Sequence, residues 1–142
     1  MIRFVLLLVL ILLSKFTLRA QEGETVNIVV KITNFKNNDG KAMVALYNQE
    51  KTFLKTPFKG EIAAIDKETS MVTFKNVKPG IYAVGVFHDQ DDDDELDMFM
   101  GMIPREPVAC SNNAPAKFGP PKWDDAKFTV ANKDVHQHIS FN

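Results

Sequence analysis

The residues best equipped for chemistry crowd into one stretch. From His88 to Asp97 the chain reads HDQDDDDELD, and seven of the nine residues after the histidine are acidic. Counting Asp89 as position one places Asp91 at three, Asp93 at five, Glu95 at seven and Asp97 at nine. Loops wrap oxygen ligands around calcium at such alternating spacing, and the ion takes roughly six to eight of them, one being a backbone carbonyl at position seven. Position six, where a sharp turn favours glycine, is Asp94, a residue type that tolerates left-handed backbone. Position twelve is Met100 and not a bidentate glutamate, so this is no EF-hand and no flanking helices are expected. The competing reading is a solvated acidic run, since any run of aspartates contains this spacing.

Other candidates are sparser. His88 leads into the loop, either as a packed, hydrogen-bonded residue or as a partner that orients a loop carboxylate. His136 and His138 lie two apart and share a face if that segment is a strand; such a pair either binds a transition metal or is plain surface. Cys110 is the one cysteine, so no disulfide can form within the chain. It reads as a small apolar residue, with no base in sequence to make it a nucleophile. Ser111, Asn112 and Asn113 either satisfy backbone groups at turns or, with Phe118 and Trp123, line a polar and aromatic ligand surface. No nucleophile elbow, phosphate loop or zinc motif is present. A hydrolase needs two carboxylates in different environments, whereas these acids sit side by side.

The elements that must hold these groups are strands. TVNIVVKIT places Val26, Ile28, Val30 and Ile32 on one face and polar residues on the other, a period of two. NNDG and KAMVALYN then read as a turn and a returning strand, a hairpin. EIAAID, KETS and MVTFKNV read as a second hairpin. In IYAVGVFHD, Tyr82, Val84, Val86 and His88 share one face; Ile81, Ala83, Gly85 and Phe87 share the other. Apolar residues on both faces predict a central strand covered on both sides. Ala83 and Gly85 leave room for a close neighbour. AKFTVA and DVHQHISFN are the closing strands. No helix and no internal repeat is expected after residue 20. The sum is an all-β, antiparallel β-sandwich of about seven strands, with a long irregular excursion from Asp89 to Asp124. An excursion this long is held down by something, because MFMGMI, Phe118 and Trp123 are not the composition of disorder.

Residues 1–20 stand apart. MIRFVLLLVLILLSKFTLRA has an early arginine, an apolar run from Phe4 to Leu13 and a small residue, Ala20, at its end, the pattern of a cleaved secretory signal. The run is too short for a span of about 20 apolar residues; an uncleaved anchor is the alternative. Setting aside Arg3, Lys15 and Arg19 leaves 14 basic against 18 acidic residues, a charge near −4. That balance gives no support to nucleic-acid or anionic-membrane binding. Residues 21–142 are expected to form a single β-sandwich domain, monomeric, with its stability supplied by the core.

The ordered set G-I-Y-A-V, H-D-x-D-x-D-x-x-L-D, I-P-R-E, S-N-N-A, F-G-P-P and W-D-D-A-K-F-T-V resembles a bacterial exported family catalogued as domain of unknown function 2141. The resemblance runs from about Val26 to Phe141. Here Asp92, Asp93 and Asp94 replace the Asn and Gly usual between that family's loop ligands. The resemblance implies export and a β-sandwich similar to those of the transthyretin-like and carboxypeptidase-regulatory kinds. It implies no activity. The role expected is therefore a calcium-stabilised binding or structural module of the periplasm or cell envelope, not an enzyme. Its ligand is an unidentified cell-envelope component or small molecule. The alternatives are a carbohydrate- or peptide-recognition module using Met98 to Trp123, and a hydrolase.

Overall fold

The computed structural model describes residues 23–142; the expected signal segment and its cleavage site lie outside them. The described chain is all-β. Its strands in order are β1 (Val26–Thr33), β2 (Lys41–Tyr47), β3 (Lys59–Ala64), β4 (Thr69–Val77), β5 (Gly80–Asp89), β6 (Met98–Phe99), β7 (Ile103–Pro104), β8 (Val108–Cys110), β9 (Phe128–Val130) and β10 (Val135–Ser140). One sheet runs β10-β1-β4 and the other β3-β2-β5-β8, with β9 paired to the first residues of β5. All the pairings are antiparallel except β1 with β10, which is parallel.

The period of two does what it predicts. Ile28, Val30 and Ile32 of β1, Phe74 of β4 and Ile139 of β10 meet Val44 and Leu46 of β2 and Val84 and Val86 of β5 in one core between the sheets. Fully burying a side chain of this size contributes about 1.5–3 kcal/mol. The opposite face of β5 is covered too. Tyr47, Phe53, Ala83, Cys110, Ala114 and Ala126 form a second cluster, with Trp123 against it. Gly85 is the close-approach point expected there: an added Cβ would lie 3.1 Å from Leu54 and 3.3 Å from Tyr47.

Several connections differ from the sequence reading. β1 and β2 are not a hairpin; they pair with different neighbours in opposite sheets. Each has one apolar face, and facing those two stripes across the sandwich buries both. The second hairpin is likewise only a corner. Lys67 and Glu68 make a tight left-handed turn closed by an Asp66–Thr69 bridge, and the strands on its two sides part, β3 before it joining β2 and β4 after it joining β1. The seven expected strands are all present, and the described residues hold three more, β6, β7 and β8, because the excursion is partly regular. It holds the β6–β7 hairpin, β8 on the edge of β5, a 3-10 turn at Ser111–Asn113 and one helical turn, α1 (Trp123–Ala126). Two- and three-residue strands carry no readable period, and α1 is a single turn after Pro120-Pro121. No described helix is long and apolar enough to cross a membrane.

Candidate metal centre

β5 delivers the acidic loop. Its last residue, Asp89, is fully buried. The Asp89 carboxylate accepts the backbone N–H groups of Asp93 at 3.2 Å and Asp94 at 3.0 Å, which curls the loop back over the strand end. Asp92 and Asp94 both adopt positive φ, 64° and 68°. The left-handed turn expected at Asp94 is present, with a second at Asp92.

Two neighbours grip the loop start. His88 is buried; its Nε2 lies 2.7 Å from the Asp39 carbonyl oxygen, and its ring packs edge-on to Phe35. Gly40, at φ 63°, sits so close to the backbone of Asp89 that a Cβ would fall 1.8 Å from the Asp89 carbonyl oxygen. The NNDG turn is therefore a mould for the loop's first peptide. His88 is a packed residue that ties this turn to β5.

The carboxylates then divide into two sets. Lys41 places its Nζ 2.6 Å from one oxygen each of Asp92 and Asp94, and 3.4 Å from Asp89. Asp91 turns the other way. It meets Asp89 and Glu106, and one oxygen from each of the three lies within 4.8 Å of the others. Glu106 is buried, and its two oxygens accept the N–H groups of Gln90 at 2.7 Å and Asp97 at 3.3 Å. It belongs to the I-P-R-E motif, 17 residues beyond Asp89, and no spacing rule points to it from the loop.

The electrostatics of the three acids differ. Burial pushes the Asp89 carboxyl up, but the N–H groups of Asp94 and Asp93 and the Lys41 ammonium outweigh it and hold the pKa below its ordinary value. Asp91 is pushed up, first by loss of solvent and then by the charges of Asp93, Asp97, Glu106 and Asp89. Among the described residues no hydrogen-bond donor or cationic side chain meets the Asp91 carboxylate. Each carboxylate oxygen has two lone pairs, so the N–H contacts to Asp89 and Glu106 leave acceptor capacity directed elsewhere. Three hard oxygens without histidine or thiolate suit calcium, magnesium or manganese rather than zinc or copper. These three residues could hold such an ion.

Of the five ligands expected from the spacing, the structure brings Asp89 and Asp91 together with Glu106. Asp93, Glu95 and Asp97 stand outside that trio. Asp93 caps the N–H of Glu95 at 2.8 Å, and Asp97 contributes its backbone to Glu106 and Arg105.

The other candidates are placed as follows. Ser111 is buried and accepts the Val84 N–H at 2.9 Å while donating to the Ala126 carbonyl at 2.6 Å. Asn112, at φ 58°, donates to the Asp125 and Lys127 carbonyls, and Asn113 accepts the Ser140 N–H. These three stitch β5, α1 and β10 together. Phe118 is fully exposed, whereas Trp123 is half-buried and packs edge-on to Phe53. His136 and His138 are exposed on one face of β10, and His138 pairs with the Thr33 hydroxyl. Cys110 is buried, and burial pushes its thiol up to about 12, the opposite of what a nucleophile requires.

Residues 30–138 match the model of a family described as an uncharacterized protein conserved in bacteria (DUF2141). No curated protein and no solved structure matches the chain.

Proposed function

The chain belongs to this uncharacterised bacterial family, and from that premise we propose that it is an exported, calcium-stabilised binding or structural module of the periplasm or cell envelope. The observation that supports the reading is the convergence of Asp89, Asp91 and Glu106 from two separate segments. Export rests on the pattern of residues 1–20.

A calcium ion at this trio would supply the positive charge that Lys41 supplies to Asp92 and Asp94. Asp89 would hold it from the strand end, Asp91 from the loop and Glu106 from the segment entering β8. Backbone carbonyls and water would complete the oxygen shell. Because Glu106 also accepts the N–H groups of Gln90 and Asp97, binding would clamp both ends of the Asp89–Glu106 segment. Extracellular modules work with dissociation constants of about 0.1–1 mM. With free calcium at about 100 times that constant the folded state gains about 2.7 kcal/mol.

The test is thermal melting with calcium, with magnesium and with chelator, on the parent protein and on Asp91→Asn. Calcium is expected to raise the midpoint of the parent only. An unchanged midpoint with calcium well into the millimolar range returns the loop to a solvated acidic run.

A further inference from the structure

Of the chain's three histidines, His88 is buried, while His136 and His138 are exposed and stand apart from the carboxylate trio. The exposed pair alternates with Gln137 along β10. Residues two apart in a strand point to the same side, about 6.5 Å from each other, so the two imidazoles reach a common ion. β10 is the edge of its sheet and pairs with β1 on one side. Across that ladder Val29 lies beside His136 and Lys31 beside His138, with Met71 of β4 beyond Lys31. Val29, Lys31, Met71, His136, Gln137 and His138 line one groove of about 280 Å³ on this outer face.

The groove has the opposite chemistry to the acidic loop. No carboxylate is among its six residues, so an ion held by charge gains nothing there. What it offers a metal is imidazole nitrogen. His138 is oriented for this, because its Nε2 lies 2.9 Å from the Thr33 hydroxyl oxygen. With the hydrogen on Nε2 donated to Thr33, Nδ1 keeps its lone pair, and a ligating imidazole is commonly fixed through its other ring nitrogen in this way. We propose that His136 and His138 chelate a copper(II) ion in this groove, a second metal site independent of the carboxylate trio.

The ligand count selects the metal. Resident zinc is held by three or four protein ligands, and this groove supplies two. With so few, the strength of each metal–nitrogen bond decides, and it rises through the divalent first-row ions to copper and falls again at zinc. Copper(II) accepts tetragonal coordination, so water can fill the positions on the open side of β10. The Lys31 ammonium lowers the affinity of every cation and thereby favours the one with the strongest nitrogen bonds. Lys31 is exposed, and its flexible stem can carry the charge away into water. Met71 stands two strands from His138, roughly 10 Å away at the backbone, and forms the far wall of the groove rather than a ligand.

The experiment is calorimetric titration of the full chain with copper(II), nickel(II) and zinc(II) in turn, in excess calcium so that the carboxylates do not compete. Electron paramagnetic resonance of the copper-loaded chain accompanies it. Expected is one copper per chain, bound more tightly than nickel or zinc, with a spectrum split by two imidazole nitrogens. His136→Gln and His138→Gln should each weaken copper at least about tenfold, and the double variant should lose the imidazole signal. Both positions are exposed, so the variants keep a near-parental melt. Copper binding unchanged in the double variant overturns the site, as does a spectrum with a single imidazole. Loss of copper in Asp91→Asn with both histidines intact assigns the ion to the acidic loop and overturns it equally. One copper per two chains places the histidines at a contact between copies, against chelation within one strand. Zinc bound as tightly as copper overturns the choice of metal. The calcium melt of the parent protein bears on none of these outcomes, so the two readings stand or fall separately.

Discussion

Lys41 lies directly across the β2–β5 ladder from Asp89, and its ammonium pairs with that carboxylate at 3.4 Å and more closely, at 2.6 Å, with Asp92 and Asp94. A single side chain from a neighbouring strand thereby sorts the acids of the loop. It pairs with Asp92, Asp94 and the near side of Asp89, and leaves Asp91 to face Asp89 and Glu106 without it. The pairing pushes Lys41 further up, chiefly through its contacts with Asp92 and Asp94. Lys41→Met is expected to lower the melting midpoint in chelator and to enlarge the rise produced by calcium, because the ion then offsets more repulsion. Differential scanning fluorimetry with and without calcium checks both signs; a smaller calcium response in the variant would count against this division of labour.

Glu106 and Glu95 separate geometry from spacing. The sequence pattern places Glu95 among the candidate ligands, whereas the structure brings Glu106 beside Asp89 and Asp91. Glu106→Gln should weaken calcium at least about tenfold, as loss of a charged hard ligand does. Glu95→Gln should leave the affinity within about a factor of two or three, because its side chain is exposed and position seven ligates through its carbonyl. Calorimetric titration of the two variants measures the contrast. Equal losses would restore the evenly spaced loop.

Gly40→Ala tests the mould beneath the loop. The new Cβ would meet the Asp89 carbonyl oxygen at 1.8 Å from a backbone at φ 63°, and backbone cannot yield as a side-chain tip does. A loss above about 4 kcal/mol is expected, in the class of the severest single substitutions. Urea denaturation reads it, and a near-parental midpoint would show that the turn can move away from β5.

Ser111→Ala removes a buried hydroxyl and leaves the Val84 N–H and the Ala126 carbonyl without it. An unsatisfied buried group costs about 1–3 kcal/mol. The urea midpoint should fall accordingly with the calcium response retained, since Ser111 lies outside the carboxylate trio. A loss of the calcium response alone, with stability intact, would reverse that assignment.

Alkaline pH should destabilise the fold through the second cluster. Burial pushes the Cys110 thiol up to about 12. Burial, then the nearby Cys110, pushes the Tyr47 phenol up to about 12. Both groups keep their protons in the folded state after the unfolded chain has lost them. Their contribution is therefore complete below about pH 8 and is lost as pH rises toward about 12. Each group contributes a slope of up to about 1.4 kcal/mol per pH unit in that window. Cys110→Ala should flatten part of the decline measured by urea denaturation between about pH 8 and 11. An unchanged slope would place the titration elsewhere.

Much of this was legible in the residues themselves. Alternation in Val26–Ile32 and Tyr82–His88 gave the strands and their buried faces because side chains in a strand point to opposite sides at every step. Ala83 and Gly85 announced a close neighbour on the second face, and Tyr47 and Leu54 fill it. Asp94 was readable as a left-handed turn because few other residue types tolerate one.

The partners were not legible. Period two encodes which face of a strand is buried, not which strand lies beside it, so the two expected hairpins became crossings between sheets once both apolar stripes had to be covered at the same time. The site shows the same division. The sequence by itself determined that carboxylates would crowd the end of β5. Only the tertiary structure decided which of them converge, by bringing Lys41 from β2 to one side and Glu106 from the segment before β8 to the other. Those positions are set by the β2–β5 and β5–β8 pairings, contacts between residues far apart in the chain that burial selects and no local pattern records.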